Sequence, residues 1–392
     1  KIAASLYAIS ALGSALAPDF VTLVIARMIG GFGVGASLII APMYIAEICP
    51  PGMRGRMVSF NQLNIVTGIS VAFFTNYLIL QLSQSDSAWI QTLGIDVHQW
   101  RWMLGLEGIP AILYFGLLFG VPESPRWLIM KSRSTLALQI LKKVSSEAQA
   151  LKDLAAVKES IKTRTVKKRA KLSELFKPAL RLVLFIGIVV AILQQITGIN
   201  SVFFYAPMIF EQTGIGTDAA FSQAILVGLT NLIFTILAIM FIDRFGRKAL
   251  LIFGFSGIAI SMFLLSYGFS SATYELTPQA VETLPGHVDK AKTAGMMNIT
   301  YHSDIEFKDA VEENFGSIES KKVEADLITA SINMNAWLIL LSIIGFVASF
   351  AISIGPVMWV LFSELFPNTI RGIAVSFTGF INSSISFLVQ LV

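Results

Sequence analysis

The sequence has few charged residues for its length. Only 14% of its 392 residues are Asp, Glu, Lys or Arg, whereas soluble globular domains contain roughly 25%. Hydrophobic residues make up 55%, and the mean hydropathy is +0.71. So few charges cannot cover a water-soluble surface of this size. The composition therefore excludes an ordinary soluble domain and indicates a membrane protein.

The sequence also lacks the residues that enzymes and metal sites need. Its single cysteine, Cys49, excludes an intrachain disulfide and has no metal-ligand spacing around it. There is no nucleophile–base set, no metal spacing and no phosphate loop, so we expect neither an enzyme nor a cofactor. The net charge of +4 comes without a basic stripe interleaved with aromatic residues, so we expect no nucleic-acid partner.

Long apolar stretches predict helices that cross a lipid bilayer. Nine of them lie near 2–18, 20–45, 57–82, 100–122, 182–209, 221–242, 249–270, 336–362 and 372–392. These stretches predict an all-α polytopic protein whose two ends lie on opposite sides of the membrane. Both ends look cut, because the chain begins with a hydrophobic run without an initiator Met and stops inside another apolar run.

Basic residues indicate the orientation of these spans, because Lys and Arg collect on the cytoplasmic side. Most of the 29 basic residues fall on one side if the first residue is inside. This arrangement predicts a multi-pass protein of the plasma (inner) membrane, with 123–181 cytoplasmic and the acidic loop 271–335 outside. We expect short amphipathic helices in 123–181 and small helices in 271–335; a disordered basic linker is the alternative for 123–181.

An internal repeat indicates two homologous halves. The segment Glu47–Phe60 matches Glu364–Phe377 without a gap, and both copies lead from an inside loop into the next span. We therefore predict an N-terminal bundle at 1–122, a linker at 123–181 and a C-terminal bundle at 182–392. Transporters built from such repeats bind their solute near the bilayer midplane, where the repeats meet.

Amide side chains inside the apolar spans are the strongest functional signal, because polar groups are unfavourable there. Gln194, Gln195 and Asn200 lie within seven residues of one span. Amides both donate and accept hydrogen bonds, as sugar hydroxyls do. Gly198 between them allows the helix to unwind. The alternative is that these amides only bind neighbouring helices.

Further polar and aromatic residues belong to the same hypothesis. Gln62, Asn231 and Asn382 are intramembrane amides, and Trp359 follows a Gly-Pro pair that includes the kinking residue Pro356. The Trp359 ring could stack on the C–H face of a sugar, or it could be an interfacial tryptophan.

Two charges lie within the predicted spans and need partners. Arg27 and Glu107 could pair with each other or share a third acid. A buried carboxylate is a candidate proton carrier, whereas a fixed ion pair is the structural alternative.

Oppositely charged residues at the inside loops could form a cytoplasmic gate that breaks when the protein inverts. They are Glu47, Arg54, Glu123, Arg126, Asp243, Arg247, Glu364 and Arg371, taken as neighbouring acid–base sets. The alternative is ordinary loop charge that only orients the helices.

Four motifs in order resemble the sugar porter family of the major facilitator superfamily, and within it the bacterial xylose/proton symporters. They are Pro122–Leu128 (PESPRWL), Gln194–Asn200 (QQITGIN), Asp243–Lys248 (DRFGRK) and the repeated block that begins at Glu47 and Glu364. The resemblance covers nearly the whole chain except 271–335. It implies two six-helix bundles, of which this chain would be helices three to eleven.

The resemblance also implies site residues. The family's sugar contacts would fall on Gln62, Gln194, Gln195, Asn200, Asn231, Trp359 and Asn382. Phe204 stands where members have Tyr, and Ser383 stands where they usually have Trp. Arg27 and Glu107 resemble the retained part of the family's proton-coupling site.

These observations predict transport of a neutral monosaccharide, a hexose or a pentose, by alternating access with sugar:proton symport. The expected partners are the sugar, a proton and the lipid bilayer, and the expected state is a monomer. A passive sugar facilitator and a non-transporting membrane sugar sensor are the alternatives. Uptake at two pH values separates symport from facilitation.

Overall fold

The computed structural model describes residues 1–49, 54–166, 172–211, 213, 217–367 and 370–391, and helices dominate this part of the chain. The helices as far as Ile196 are α1 (Ile2–Ala15), α2 (Phe20–Ile48), α3 (Arg54–Ser83), α4 (Ala88–Leu93), α5 (Gln99–Gly105), α6 (Gly108–Leu117), α7 (Pro125–Met130), α8 (Ser134–Val144), α9 (Glu147–Val166) and α10 (Arg181–Ile196). The remaining ones are α11 (Ile199–Phe210), α12 (Thr217–Phe245), α13 (Arg247–Ser270), α14 (Pro278–Thr283), α15 (Asp304–Phe315), α16 (Ser320–Ser331), α17 (Ala336–Ile352), α18 (Ile354–Leu365) and α19 (Arg371–Leu391).

All nine predicted spans fall on helical segments. In the described ranges, seven helices or helical stretches are long and apolar enough to cross a bilayer. The other two are shorter: α1 has 14 residues, and the stretch predicted at 100–122 is divided between α5 and α6. Nine membrane crossings therefore stay a prediction.

Two long spans are interrupted at positions that the residue types explain. The first break separates α10 from α11, and Gly198 lies there with a φ of 80°, which favours a residue without a Cβ. The second break separates α17 from α18 at Ser353. Pro356 explains this break, because in an uninterrupted helix it would remove one backbone hydrogen bond. In the first turn of α18 its missing N–H removes none.

Two compact units divide the chain. The first comprises Lys1–Gly68, Phe74–Leu193 and Met358–Ile385. The second comprises Ile69–Phe73, Gln194–Val357 and Ser386–Val392. This partition differs from the predicted boundaries at 122 and 181, which rest on the sequence repeat and stay a prediction.

Within the first unit, α7, α8 and α9 occupy most of the predicted linker. The Ser124 hydroxyl accepts a hydrogen bond from the Trp127 N–H and so caps α7, with Pro125 in its first turn. The three helices share a small apolar core whose buried members are Leu128, Ala137, Leu141, Ala150 and Leu154. Over 125–166 the segment is therefore mostly helical, and residues 167–171 lie outside the described part.

The loop 271–335 is a small α/β subdomain within the second unit. Its strands β1 (Thr273–Glu275), β2 (Thr300–Tyr301) and β3 (Ile332–Asn333) form an antiparallel sheet in the order β2-β1-β3. The expected small helices are present as α14, α15 and α16. The core includes the completely buried side chains of Leu276, Met296, Phe307, Val311 and Leu327. Because β1 pairs with β3, the two ends of the subdomain lie side by side.

Glycine permits the close approach of α13 to the end of α17. A Cβ on Gly254 would lie 1.9 Å from the Ser353 Oγ and 3.0 Å from the backbone oxygen of Ser349. The first distance is far shorter than a van der Waals contact, so only glycine fits here unless the two helices separate.

The Gly254→Ala variant should therefore fold poorly. We expect a lower yield of monodisperse protein in detergent and a lower unfolding temperature, because overpacking a helix contact destabilises a protein by about 1–3 kcal/mol. Gly379→Ala in α19 is the matched control, since a Cβ there meets nothing within 4 Å. Equal unfolding temperatures for the two variants would contradict this packing.

Candidate functional site

The three clustered amides lie at the break between α10 and α11. Gln194 and Gln195 lie near the end of α10 and are 8% and 6% exposed. The Asn200 Nδ2 donates to the Gln195 Oε1 and to the Ser386 Oγ of α19, both at 2.8 Å. Both N–H groups of Asn200 are therefore engaged, and its side-chain oxygen is the amide atom left to accept a further hydrogen bond.

Two other predicted amides differ in their surroundings. Asn231 in α12 is 4% exposed, and no residue of the described ranges hydrogen-bonds to its side chain. The Asn382 Nδ2 instead donates to the Ala191 backbone oxygen at 2.9 Å and lies 3.9 Å from the Met358 Sδ. This nitrogen of α19 therefore bonds to the neighbouring helix α10, as expected if such amides only connect helices. A role for Asn382 in sugar binding stays a prediction.

The seven predicted sugar contacts are distributed over the two units. Gln62, Trp359 and Asn382 belong to the first unit, and Gln194, Gln195, Asn200 and Asn231 belong to the second. Gln62 and Trp359 are half-buried. The Trp359 ring meets the Phe362 ring edge-on, with centroids 6.0 Å apart, and this contact helps to orient the indole.

Arg27 and Glu107 contact each other through a two-pronged ion pair. The Arg27 Nη1 lies 2.8 Å from the Glu107 Oε2, and the Nη2 lies 3.2 Å from the Oε1. Such fork-to-fork pairs are strong and fix the orientation of both groups. Glu107 lies between α5 and α6. The helix predicted at 100–122 is therefore interrupted at its acidic residue. A role for the pair in proton coupling stays a prediction.

Two of the contacts near the predicted gate were not foreseen from the sequence. Glu47 at the end of α2 accepts a hydrogen bond from the Ser124 hydroxyl, and the Tyr44 hydroxyl donates to the Pro122 oxygen at 2.6 Å. Ser124 carries a usable sequence signal, because a Ser-Pro pair before a helix is typical of an N-cap. Tyr44 carries none.

The other predicted gate residues lie on several different helices and loops. Glu123 precedes α7 and Arg126 lies in its first turn, and within the described residues the two form no ion pair with each other. The Arg371 Nε donates to the Phe366 oxygen at 3.3 Å. Arg247 begins α13 and Glu364 lies near the end of α18, while the side chains of Arg54 and Asp243 lie outside the described part. The function of these residues as a gate stays a prediction.

Comparison with known proteins identifies the family. A family model described as "Sugar (and other) transporter" matches residues 1–283 and 322–392. The chain belongs to the sugar transporter family. The resemblance predicted from the motifs is thereby confirmed, while residues 284–321 of the α/β subdomain lie outside the match.

Individual relatives in this family are transporters. The chain is 35% identical over 379 residues to an arabinose-proton symporter of Bacillus subtilis, covering 96% of this chain and 67% of the relative. It is 36% identical over 403 residues to the D-xylose-proton symporter of Escherichia coli, covering 96% and 65%. The chain thus spans about two thirds of the length of these curated relatives.

Solved structures confirm the fold. The partially occluded inward open conformation of the xylose transporter XylE from E. coli is similar with a TM-score of 0.67 and 33% identity, over 99% of this chain and 73% of that one. A structure described as a proton:xylose symporter of the major facilitator superfamily also has a TM-score of 0.67 at 33% identity, over 99% and 70%. The major facilitator fold predicted from the sequence is therefore confirmed. The described chain is mostly helical rather than all-α, because the subdomain at 271–335 contains a small sheet. The assignment of the chain to helices three to eleven stays a prediction.

The ion pair generates a prediction about stability. Arg27→Gln and Glu107→Gln should each lower the unfolding temperature, because each leaves one charge without its partner in a predicted membrane span. The double variant should lose less than the sum of the two single variants, with a coupling energy of about 0.5–3 kcal/mol. Thermal unfolding in lipid nanodiscs is the measurement.

The control for this cycle is the ion pair of Lys308 with Asp304, 3.3 Å apart in α15 of the α/β subdomain. Its side chains are 43% and 52% exposed, close to the 44% and 49% of Arg27 and Glu107, but they lie outside the predicted spans. Exposed pairs of this kind contribute about 0.3–0.5 kcal/mol, so this cycle should show little coupling. Strict additivity at Arg27 and Glu107 would show that their contact does not stabilise the fold.

Proposed function

We propose that this protein transports a neutral monosaccharide, a hexose or a pentose, by alternating access with sugar:proton symport. The observation that carries the proposal is the amide cluster at the helix break, where Asn200 is hydrogen-bonded to Gln195. Membership of the sugar transporter family and the similarity to arabinose- and xylose-proton symporters support it.

Neutral amides suit a sugar better than they suit an ion. Each amide offers two N–H donors and an oxygen with two lone pairs, and a sugar hydroxyl both donates and accepts. The Asn200 nitrogen already donates two hydrogen bonds within the protein, so its oxygen accepts a hydrogen bond from the sugar. Asn231 lacks a partner in the described ranges, so both its nitrogen and its oxygen can bind the sugar. The proposed set is completed by Gln62, Gln194, Gln195, Trp359 and Asn382.

Proton coupling is assigned to Arg27 and Glu107. Protonation of Glu107 removes its charge, and the fork-shaped contact with Arg27 then loses most of its electrostatic stabilisation. A proton therefore changes the relative stability of conformations in which the pair is closed or open, which is what coupling requires.

The cytoplasmic gate is assigned to the charged loop residues, with the hydrogen bond between Glu47 and Ser124 as one of its contacts. A reversible gate requires a free-energy difference of only a few kcal/mol between its two states. In the proposed topology, 123–181 is cytoplasmic and 271–335 lies outside the plasma (inner) membrane. The proposed transporter acts as a monomer.

The Gln195→Ala variant should abolish uptake of labelled sugar while the protein still inserts into the membrane. The change removes the Gln195 amide. It also removes the hydrogen bond from the Asn200 Nδ2 to the Gln195 Oε1, which orients the Asn200 side chain. Uptake from a panel of pentoses and hexoses into vesicles is the measurement.

Ser384→Ala is the control for that variant, because the Ser384 hydroxyl donates within its own helix, to the Phe380 oxygen at 2.9 Å. The control should transport normally. Undiminished uptake by Gln195→Ala would remove the amide cluster from the proposed site.

Glu107→Gln should separate coupled transport from facilitated transport. In proteoliposomes with an imposed pH gradient, we expect the unchanged protein to accumulate sugar above the external concentration. Glu107→Gln should lose this accumulation, because its side chain cannot exchange a proton, but it should retain sugar exchange without a gradient. If the unchanged protein only equilibrates sugar at every pH, it is a passive facilitator and the symport proposal fails.

A further inference from the structure

Helix α12 carries buried polar side chains that lack hydrogen-bond partners among the described residues. Thr235 is 1% exposed, and its hydroxyl has no partner there. Asn231, one turn earlier, is 4% exposed and is likewise without a partner in that part of the chain. The buried Oε1 of Gln223 in the same helix is also unpaired.

The lack of a backbone hydrogen bond at the Thr235 hydroxyl is unusual for a helix in a membrane. A threonine there commonly donates to the backbone oxygen four residues earlier, as Thr67 does to Leu63 and Thr230 does to Leu226, both at 2.8 Å. Thr235 does not form this bond. Its hydroxyl is therefore not satisfied by its own helix.

An unpaired hydroxyl is unfavourable in such surroundings. A buried polar group without a partner costs about 1–3 kcal/mol, and hydrocarbon supplies no alternative partner. Valine has almost the same shape and would fill the space without this cost. The hydroxyl has almost no accessible surface in this conformation, so a partner from outside the protein reaches it in another state of the transport cycle.

Asn231 and Thr235 present a matched pair of groups to such a partner. Residues four apart in a helix lie on one face, about 6 Å apart along the axis. A carboxamide and a hydroxyl at this spacing can bind two hydroxyls of one sugar ring, because both groups donate and accept.

We propose that Thr235 is a further sugar-binding residue, which hydrogen-bonds one hydroxyl of the transported sugar while Asn231 binds another. This inference rests on the proposed transport function and deepens it. It places part of the sugar specificity on α12, one turn beyond Asn231 in the direction of Phe245.

The test compares Thr235→Val, which removes only the hydroxyl, with Thr235→Ser, which retains it. Sugar uptake is measured for the transported sugar and for each of its monodeoxy analogues. Thr235→Val should raise the half-saturation concentration of the parent sugar by roughly two- to tenfold, the factor expected for one neutral hydrogen bond. Thr235→Ser should restore most of the affinity.

One deoxy analogue should respond differently from the others. The analogue that lacks the hydroxyl bound by Thr235 should be transported with the same half-saturation concentration by the unchanged protein and by Thr235→Val. The unfolding temperature of the sugar-free protein should be equal or higher in Thr235→Val, because an unpaired group is removed. Thr230→Val, whose lost hydroxyl bonds only to its own helix, should behave like the unchanged protein.

Two results would overturn the inference. One is an unchanged half-saturation concentration for every sugar in Thr235→Val. The other is a uniform loss of affinity across all analogues with a lower unfolding temperature, which would assign the position to an ordered structural water. Either result with normal transport by the unchanged protein leaves the proposed function standing, whereas absence of sugar uptake by the unchanged protein refutes that function itself.

Discussion

Hydrocarbon offers no hydrogen-bond partner, and this constraint explains most of the polar contacts in the spanning helices. Ser70 donates to the Gly228 backbone oxygen at 2.7 Å, and Asn382 donates to that of Ala191. Arg27 and Glu107 satisfy each other through two contacts. Buried polar atoms that lack such a partner among the described residues therefore stand out. They include the hydroxyls of Ser14 in α1 and Ser37 in α2, and in α12 the Gln223 Oε1 and the Thr235 hydroxyl.

The helix breaks are a second consequence of the same constraint. Interrupting a membrane helix leaves backbone groups without their usual partners, so a break is tolerated only where other groups or a cavity can satisfy them. At the first break, Gly198 turns the chain, and Asn200 then reaches Gln195 and Ser386. The amide cluster of the proposed sugar site thus lies at the interruption between α10 and α11. Transporters place their binding sites at such discontinuous helices.

The α/β subdomain follows the rules of a soluble fold rather than those of the membrane helices. Its core buries aromatic side chains such as Tyr274 and Phe307, whose rings stack with centroids 5.4 Å apart. Burial raises the pKa of the Tyr274 phenol, and the nearby Asp304 carboxylate raises it further while Lys308 opposes it. Residues 284–321 lie outside the family match, so the common features of the family do not account for this part of the subdomain.

The sequence by itself determined the helical membrane fold, the position of the break at Gly198 and the family, because apolar length, residue type and local motifs act over short stretches of chain. The tertiary structure alone decided which polar groups meet. Asn200 bonds to Ser386, which is 186 residues away, and Glu47 bonds to Ser124, a contact that no charge pattern indicated. It also decided that Thr235 lacks the backbone bond that threonine commonly forms. Such pairings depend on how distant helices pack and on side-chain orientation, and neither leaves a local pattern in the sequence.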